Sequence, residues 1–185
     1  QTHSDIDDLL ADAEDSTAVQ TNNPLFDLVI GPGAQGGPVL AYFNVQDTAK
    51  VNSYLSMPQV RNLLPAEQRY ARFVWGVPDD ETNATGLYAL KSNRENQPPL
   101  SGSVITDAQQ TYDQVGRVAV SMQMDGTGAK IWEEMTGYAS NNQTQIAIVL
   151  DNVVYSAPGV STGAISGGRS EITGDFSIEE GKDLA

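Results

Sequence analysis

One dipeptide limits what this chain can fold into more than any other feature. Asp151-Asn152 stands between two apolar runs, Gln145 to Leu150 and Val153 to Ser156. Two residues that tolerate a positive φ, flanked by strand-forming sequence, predict a tight β-hairpin. Upstream, Val115 to Met124 reads as a strand, with Val118, Val120, Met122 and Met124 alternating against Ala119, Ser121 and Gln123. Asp125 then suits an N-cap, and Ile131, Met135, Tyr138 and Ala139 fall on one face of the helix that follows. Downstream of the hairpin, a loop rich in Gly and Ser leads to Glu171 to Phe176, where Ile172 and Phe176 point one way and the acids the other. Ser177 to Glu180 repeats a capping-box spacing and opens a helix that stops at Ala185, so the expectation is a piece of a longer chain. The order strand, helix, hairpin, strand, helix predicts an α+β fold, a mainly antiparallel sheet with helices packed on one face.

The first half is a less regular α/β segment. Ser4 and Asp7 have the spacing of a capping box, and Ile6, Leu9, Leu10 and Ala13 give the stripe of a short amphipathic helix. Its carboxylates lack the spacing and central glycine of a calcium loop, and they read as a solvated acidic face. Ser16 to Asn23 reads as a polar linker. The stretch Gly31-Pro32-Gly33-Ala34-Gln35-Gly36 matches the dinucleotide pattern G-x-G-x-x-G. That chemistry requires the last glycine to open a helix whose amides face a pyrophosphate. Here Pro38 and the strand-like Val39 to Val45 follow, and Pro32 lacks an amide, so a surface loop is expected. A helix begins at Asp47 with Val51, Tyr54 and Leu55 on one face, and Pro58 starts a second short helix. Arg72 to Val77 and Gly86 to Lys91 read as strands. Asn93 to Pro99, polar and proline-bearing, is the expected internal boundary.

Composition narrows the function. With 24 acidic against 10 basic residues the net charge is −14, which opposes nucleic-acid binding and docking on an anionic membrane surface. Cysteine is absent and His3 is the single histidine, so thiol catalysis, zinc-thiolate sites and a histidine-based triad have no material. No apolar run approaches a membrane span. The acidic runs sit in loops, caps or wet helix faces, where no carboxyl gains the raised pKa of a general acid. Glu133 and Glu134, adjacent on a helix, point about 100° apart. Trp75 and Trp132 read as core rather than as stacking platforms. No catalytic residue, metal or cofactor is predicted.

One ordered series of motifs is more specific. Leu100-Ser101-Gly102-Ser103-Val104-Ile105-Thr106-Asp107-Ala108 precedes the Val118 to Met124 strand and Asp125-Gly126-Thr127-Gly128. Then come the hairpin ending in Tyr155-Ser156-Ala157-Pro158 and the run Gly167-Gly168-Arg169-Ser170-Glu171-Ile172-Thr173-Gly174-Asp175-Phe176. Over roughly residues 100 to 185 this resembles the first large periplasmic domain of the protein-export membrane proteins SecD and SecDF. Asp47 to Val60 with Phe73-Val74-Trp75-Gly76 is similar, more loosely, to the enlarged domains of Bacteroidetes-type bacteria. The resemblance implies an enlarged N-terminal segment over 1–95, a SecD-like periplasmic head over 96–176, and the start of a return helix over 177–185.

The function so implied is non-enzymatic: a domain on the periplasmic side of the bacterial inner membrane that assists proton-motive-force-driven translocation. It would hold the emerging unfolded preprotein transiently, with SecF and the SecYEG channel as partners of the full-length protein and no membrane insertion by this piece. An unfolded client demands sequence-tolerant contacts, through apolar patches or strand addition. The expected contact residues are Val153, Val154 and Tyr155 of the hairpin strand and Gly159, Val160 and Ile165 of the loop after it. Gly167, Gly168 and Gly174 are expected to serve backbone conformation, with Ile172 and Phe176 packing beside them. Two other classes compete: a structural domain that orients the translocase or contacts another export factor, and a hydrolase with carboxylate chemistry.

Overall fold

A computed structural model describes residues 23–173 of the chain. The predicted acidic helix, most of the linker after it, Gly174, Phe176 and the capping box at Ser177 lie outside the described residues. The class is the one the order of elements predicts, α+β with antiparallel pairing, but the strands form two sheets rather than one.

The larger sheet has six strands in the order β1-β2-β4-β3-β8-β7. These are β1 (Val29–Pro32), β2 (Val39–Asn44), β3 (Arg72–Gly76), β4 (Ala84–Leu90), β7 (Ile148–Leu150) and β8 (Val153–Ser156). All neighbours are antiparallel except β3 and β8, which pair in parallel through Trp75 opposite Val153 and Gly76 opposite Val154. That junction joins strands from both sides of the Asn93 to Pro99 segment. Helix α1 (Thr48–Leu55) buries Val51 and Leu55 against Phe43 and Leu87 of this sheet. Phe43 meets Trp75 edge-on, with ring centroids 5.5 Å apart. The Trp75 indole N–H donates to Asn52 Oδ1 of α1 at 3.1 Å, which gives the half-buried ring its polar partner. A single-turn helix α2 (Pro58–Arg61) follows, with Pro58 in its first turn.

The glycine-rich stretch Gly33 to Gly37 is the connection of the β1–β2 hairpin. No helix follows it, so the geometry of a dinucleotide cradle is absent there.

The smaller sheet has three strands in the order β5-β6-β9: β5 (Ile105–Tyr112), β6 (Val118–Met124) and β9 (Arg169–Thr173). Helix α3 (Gly126–Asn142) packs on it, and Met124, Trp132, Ala139 and Ile146 form a second core with Ile105, Met122 and Met135 at its margin. The face α3 buries overlaps the predicted one at Ala139, with Met135 at the core's margin, but it is turned away from Tyr138. The buried stripe is Gly128, Trp132, Thr136 and Ala139, while Tyr138 is 52% exposed. The small residues Gly128 and Ala139 allow close approach, and Thr136 satisfies its hydroxyl within the helix by donating to the Trp132 carbonyl at 2.7 Å. Tyr138 instead offers its ring to Lys91, whose Nζ lies 4.8 Å from the centroid.

Asp125 caps α3: its Oδ1 accepts from the Thr127 and Gly128 amides at 2.9 and 2.7 Å. Asp125→Ala is expected to cost about 1–2 kcal/mol in urea denaturation, and Asp125→Asn only a few tenths, because the amide oxygen still accepts.

Candidate functional site

The β7–β8 hairpin turns at Asp151 and Asn152, whose φ values of 46° and 67° are those of a two-residue type I′ turn. Its second strand, β8, is flanked on both sides. Leu150 opposes Val153 and Ile148 opposes Ser156 across the hairpin, while β3 occupies the other edge. Val154 is buried at 1% exposure, and its carbonyl also accepts from the Val77 amide at 3.2 Å.

The six residues expected to meet a client are therefore placed unequally. Val154 is enclosed in the larger sheet. Val160 and Ile165 pack against the Trp132 core, and the Ile165 amide donates to Thr136 Oγ1 of α3 at 2.8 Å. That bond ties the loop to the helix. Val153 and Tyr155 are half-buried, and Gly159 is exposed. The hairpin and loop thus bring Val153, Tyr155 and Gly159 to the surface and use the other three as support.

The open edge lies one strand outward, at β7. Among the described residues four strands have an unpaired edge: β1, β5, β7 and β9. Three are blunted as soluble proteins blunt edges. β1 carries Pro32, β5 carries Asp107, and β9 carries Arg169 and Glu171. β7 reads Ile148-Val149-Leu150, all half-buried, with neither charge nor proline. Sequence reasoning fixed on β8 and missed this edge, because strand order in the sheet depends on the parallel β3–β8 pairing between residues about 80 positions apart.

A second apolar surface lies on the outer face of β1 and β2, where Ile30, Leu40 and Tyr42 are 52%, 51% and 40% exposed. The alternation within Val39–Asn44 contains the signal, since Phe43 faces the core and its neighbour Tyr42 cannot. Burial, and then the neighbouring Tyr42, push the Tyr88 phenol above its ordinary range.

No group of three or more His, Cys, Asp or Glu side chains among the described residues gathers to hold a metal. Two carboxyls, Asp79 and Asp113, are held below the ordinary range, both by backbone amides in turns, at Thr82 and Glu81 and at Arg117. Amide bonds that favour the charged form equip a carboxylate to shape a turn, not to act as a general acid. No helix among the described residues is long and apolar enough to cross a membrane.

A two-sheet α+β domain, its hairpin and double-glycine turn in the order given above, is the class of protein these residues define. Residues 78–185 match the family model described as SecDF, P1 head subdomain, and the chain belongs to that family. Protein translocase subunit SecD of Rhodothermus marinus is 41% identical over 171 residues, which are 92% of this chain and 26% of that protein. Protein translocase subunit SecDF of Thermus thermophilus is 43% identical over 96 residues, 52% of this chain and 13% of that one. A solved chain of the membrane component SecDF is 39% identical, covering 52% of this chain and 43% of its own, with a TM-score of 0.41. The chain spans about a quarter of the length of the Rhodothermus relative.

Proposed function

We propose that this chain is the periplasmic module of a Sec translocase accessory subunit and that it holds the emerging, unfolded preprotein for short periods. In this reading the domain is not an enzyme. The full-length protein couples the held chain to the proton-motive force, and it meets SecF and the SecYEG channel through parts beyond these residues.

The observation that carries the proposal is the β7 edge. It is apolar, unblunted and part of the hairpin on which the family resemblance turns. An extended client strand laid on Ile148–Leu150 gains backbone hydrogen bonds whatever its sequence, which is what an unfolded substrate requires. Val153, Tyr155 and Gly159 offer side contacts next to that edge, with Val154, Val160 and Ile165 supporting them from behind. Three residues of ladder supply few bonds, each worth about 0.5–1.5 kcal/mol net, so binding is weak, on the order of 1 mM or above. Weak binding suits a module that must release its client.

An NMR titration of the isotope-labelled 185-residue chain with reduced, carboxymethylated α-lactalbumin as the unfolded probe tests this. Amide shifts centred on Ile148–Leu150, Val153, Tyr155 and Gly159 are expected, and Val149→Lys should abolish them without unfolding the chain. Silence at these residues, or shifts confined to the Ile30, Leu40 and Tyr42 face, overturns the edge as the contact. Silence across the whole chain leaves an orienting role within the translocase as the better reading.

A further inference from the structure

The chain holds six arginines, and four of them line one groove of about 300 Å³: Arg61, Arg69, Arg72 and Arg94, with Tyr70 and Phe73. They arrive from four places: the end of α2, the turn before β3, β3 itself and the segment after β4. Several are held in position. Arg61 stacks over the Phe73 ring at 5.4 Å, and its Nη1 donates to the Ala71 carbonyl at 2.6 Å. Arg69 lies over the Tyr70 ring at 5.1 Å, and an Arg72 guanidinium N–H donates to Asn152 Oδ1.

None of the four has a carboxylate within ion-pair distance among the described residues, where the ion pair found is Arg117 with Asp113. Glu67 and Glu95, the nearest acids in sequence, are exposed and do not close on them. Four arginines that share one groove without a counter-charge among the described residues repel one another, and the planar forks of their guanidiniums match carboxylates.

We infer that this groove is the docking site of the chain's own acidic segment, Asp5 to Asp15. That segment carries Asp5, Asp7, Asp8, Asp12, Glu14 and Asp15, and no Lys or Arg precedes Lys50. The tether is adequate. Leu25 and Leu28 pack on the same core cluster as Phe73, and the ten residues from Asp15 to Leu25 reach as far as roughly 33–36 Å when extended. Net charge decides between an internal and an external occupant. A free acidic partner or an anionic bilayer must approach a chain that is still at −8 once the six acids of Asp5 to Asp15 are set aside, whereas a tethered segment acts at an effective concentration in the millimolar range. The inference does not depend on where a preprotein binds.

The absence of cysteine makes the test direct. Ala11→Cys in the full chain accepts a single nitroxide label, and paramagnetic broadening is read by NMR. The Arg69, Arg72 and Arg94 Nε–Hε signals and the Tyr70 to Phe73 amides should lose about half their intensity or more at low salt. They should recover at about 0.5 M salt, where the screening length falls to a few ångströms. Arg69→Gln with Arg94→Gln should also restore them; Arg61 is left intact because it packs on Phe73. Absent broadening, or broadening spread evenly over the surface, overturns the inference. So does a shift of the groove signals on adding phosphatidylglycerol vesicles while the label broadens nothing, which assigns the groove to a lipid phosphate instead. All these readouts lie at the groove and none at β7, so failure here and failure of preprotein binding are distinguishable.

Discussion

Trp132→Ala is expected to lower unfolding stability by about 3–5 kcal/mol, the cost of emptying a large buried site that its neighbours cannot refill. Trp132 is 6% exposed and sits at the centre of the cluster with Met124, Ala139 and Ile146. The instructive comparison is Trp132→Phe. Among the described residues the buried indole Nε1 has no hydrogen-bond partner, and an unpaired buried donor costs roughly 1–3 kcal/mol. Phenylalanine removes that donor and most of the ring volume remains, so its net cost should be about 1 kcal/mol or less. Urea denaturation followed by circular dichroism, with Trp75 fluorescence as a second probe, measures both. Equal losses for the two variants would show that the indole N–H is satisfied in solution, and the account of this core would have to change.

Gly168→Ala is the second large effect. Gly168 has a φ of +71°, and a Cβ there would lie 2.9 Å from the Ala129 Cβ and 3.2 Å from the Met124 carbonyl oxygen. The backbone passes here between the end of β6 and the first turn of α3, close enough for the Met124 amide to donate to the Gly168 carbonyl at 2.8 Å. The left-handed conformation and the overpacking each cost about 1–3 kcal/mol for a side chain, giving a loss of roughly 3 kcal/mol. Gly167, with a φ of +86° but open space around it, should lose only the backbone share, about 1 kcal/mol. Gly159→Ala, with nothing within 4 Å and no positive φ, should stay within about 0.5 kcal/mol of the parent. The order Gly168, Gly167, Gly159 in thermal or urea unfolding is the check. A Gly168→Ala chain as stable as Gly159→Ala would refute the steric reading of the double glycine.

Much of the second half was legible in the sequence because its signals are local. Asp151-Asn152 specifies a turn whose two residues both take positive φ, and no distant contact is needed to read it. Asp125 announces the start of α3 because its side chain answers amides two and three residues on. Strand β5 was not legible. Its run Ile105–Tyr112 is largely polar, with Thr106, Asp107 and Gln109 at positions that the sheet leaves wet, so no apolar alternation marks it. The buried face of α3 was legible at Met135 and Ala139 but not at Tyr138, for a related reason. Apolar periodicity selects Tyr138, but a core that admits Gly128 and Thr136 at close range turns the helix so that Tyr138 faces Lys91.

By itself the sequence determined most of the element types, β5 excepted, together with the caps and turns, the exclusion of thiol and histidine chemistry, and the family resemblance. Each rests on residues within a few positions of one another or on simple counts. Tertiary structure alone decided that there are two sheets, that β3 pairs in parallel with β8, and that β7 rather than β8 carries the open edge. It also decided that four arginines from separate segments share one groove. The physical reason is the same in each case. Strand order and side-chain clustering are fixed by contacts between residues tens of positions apart, and no local pattern encodes which distant partner will close them.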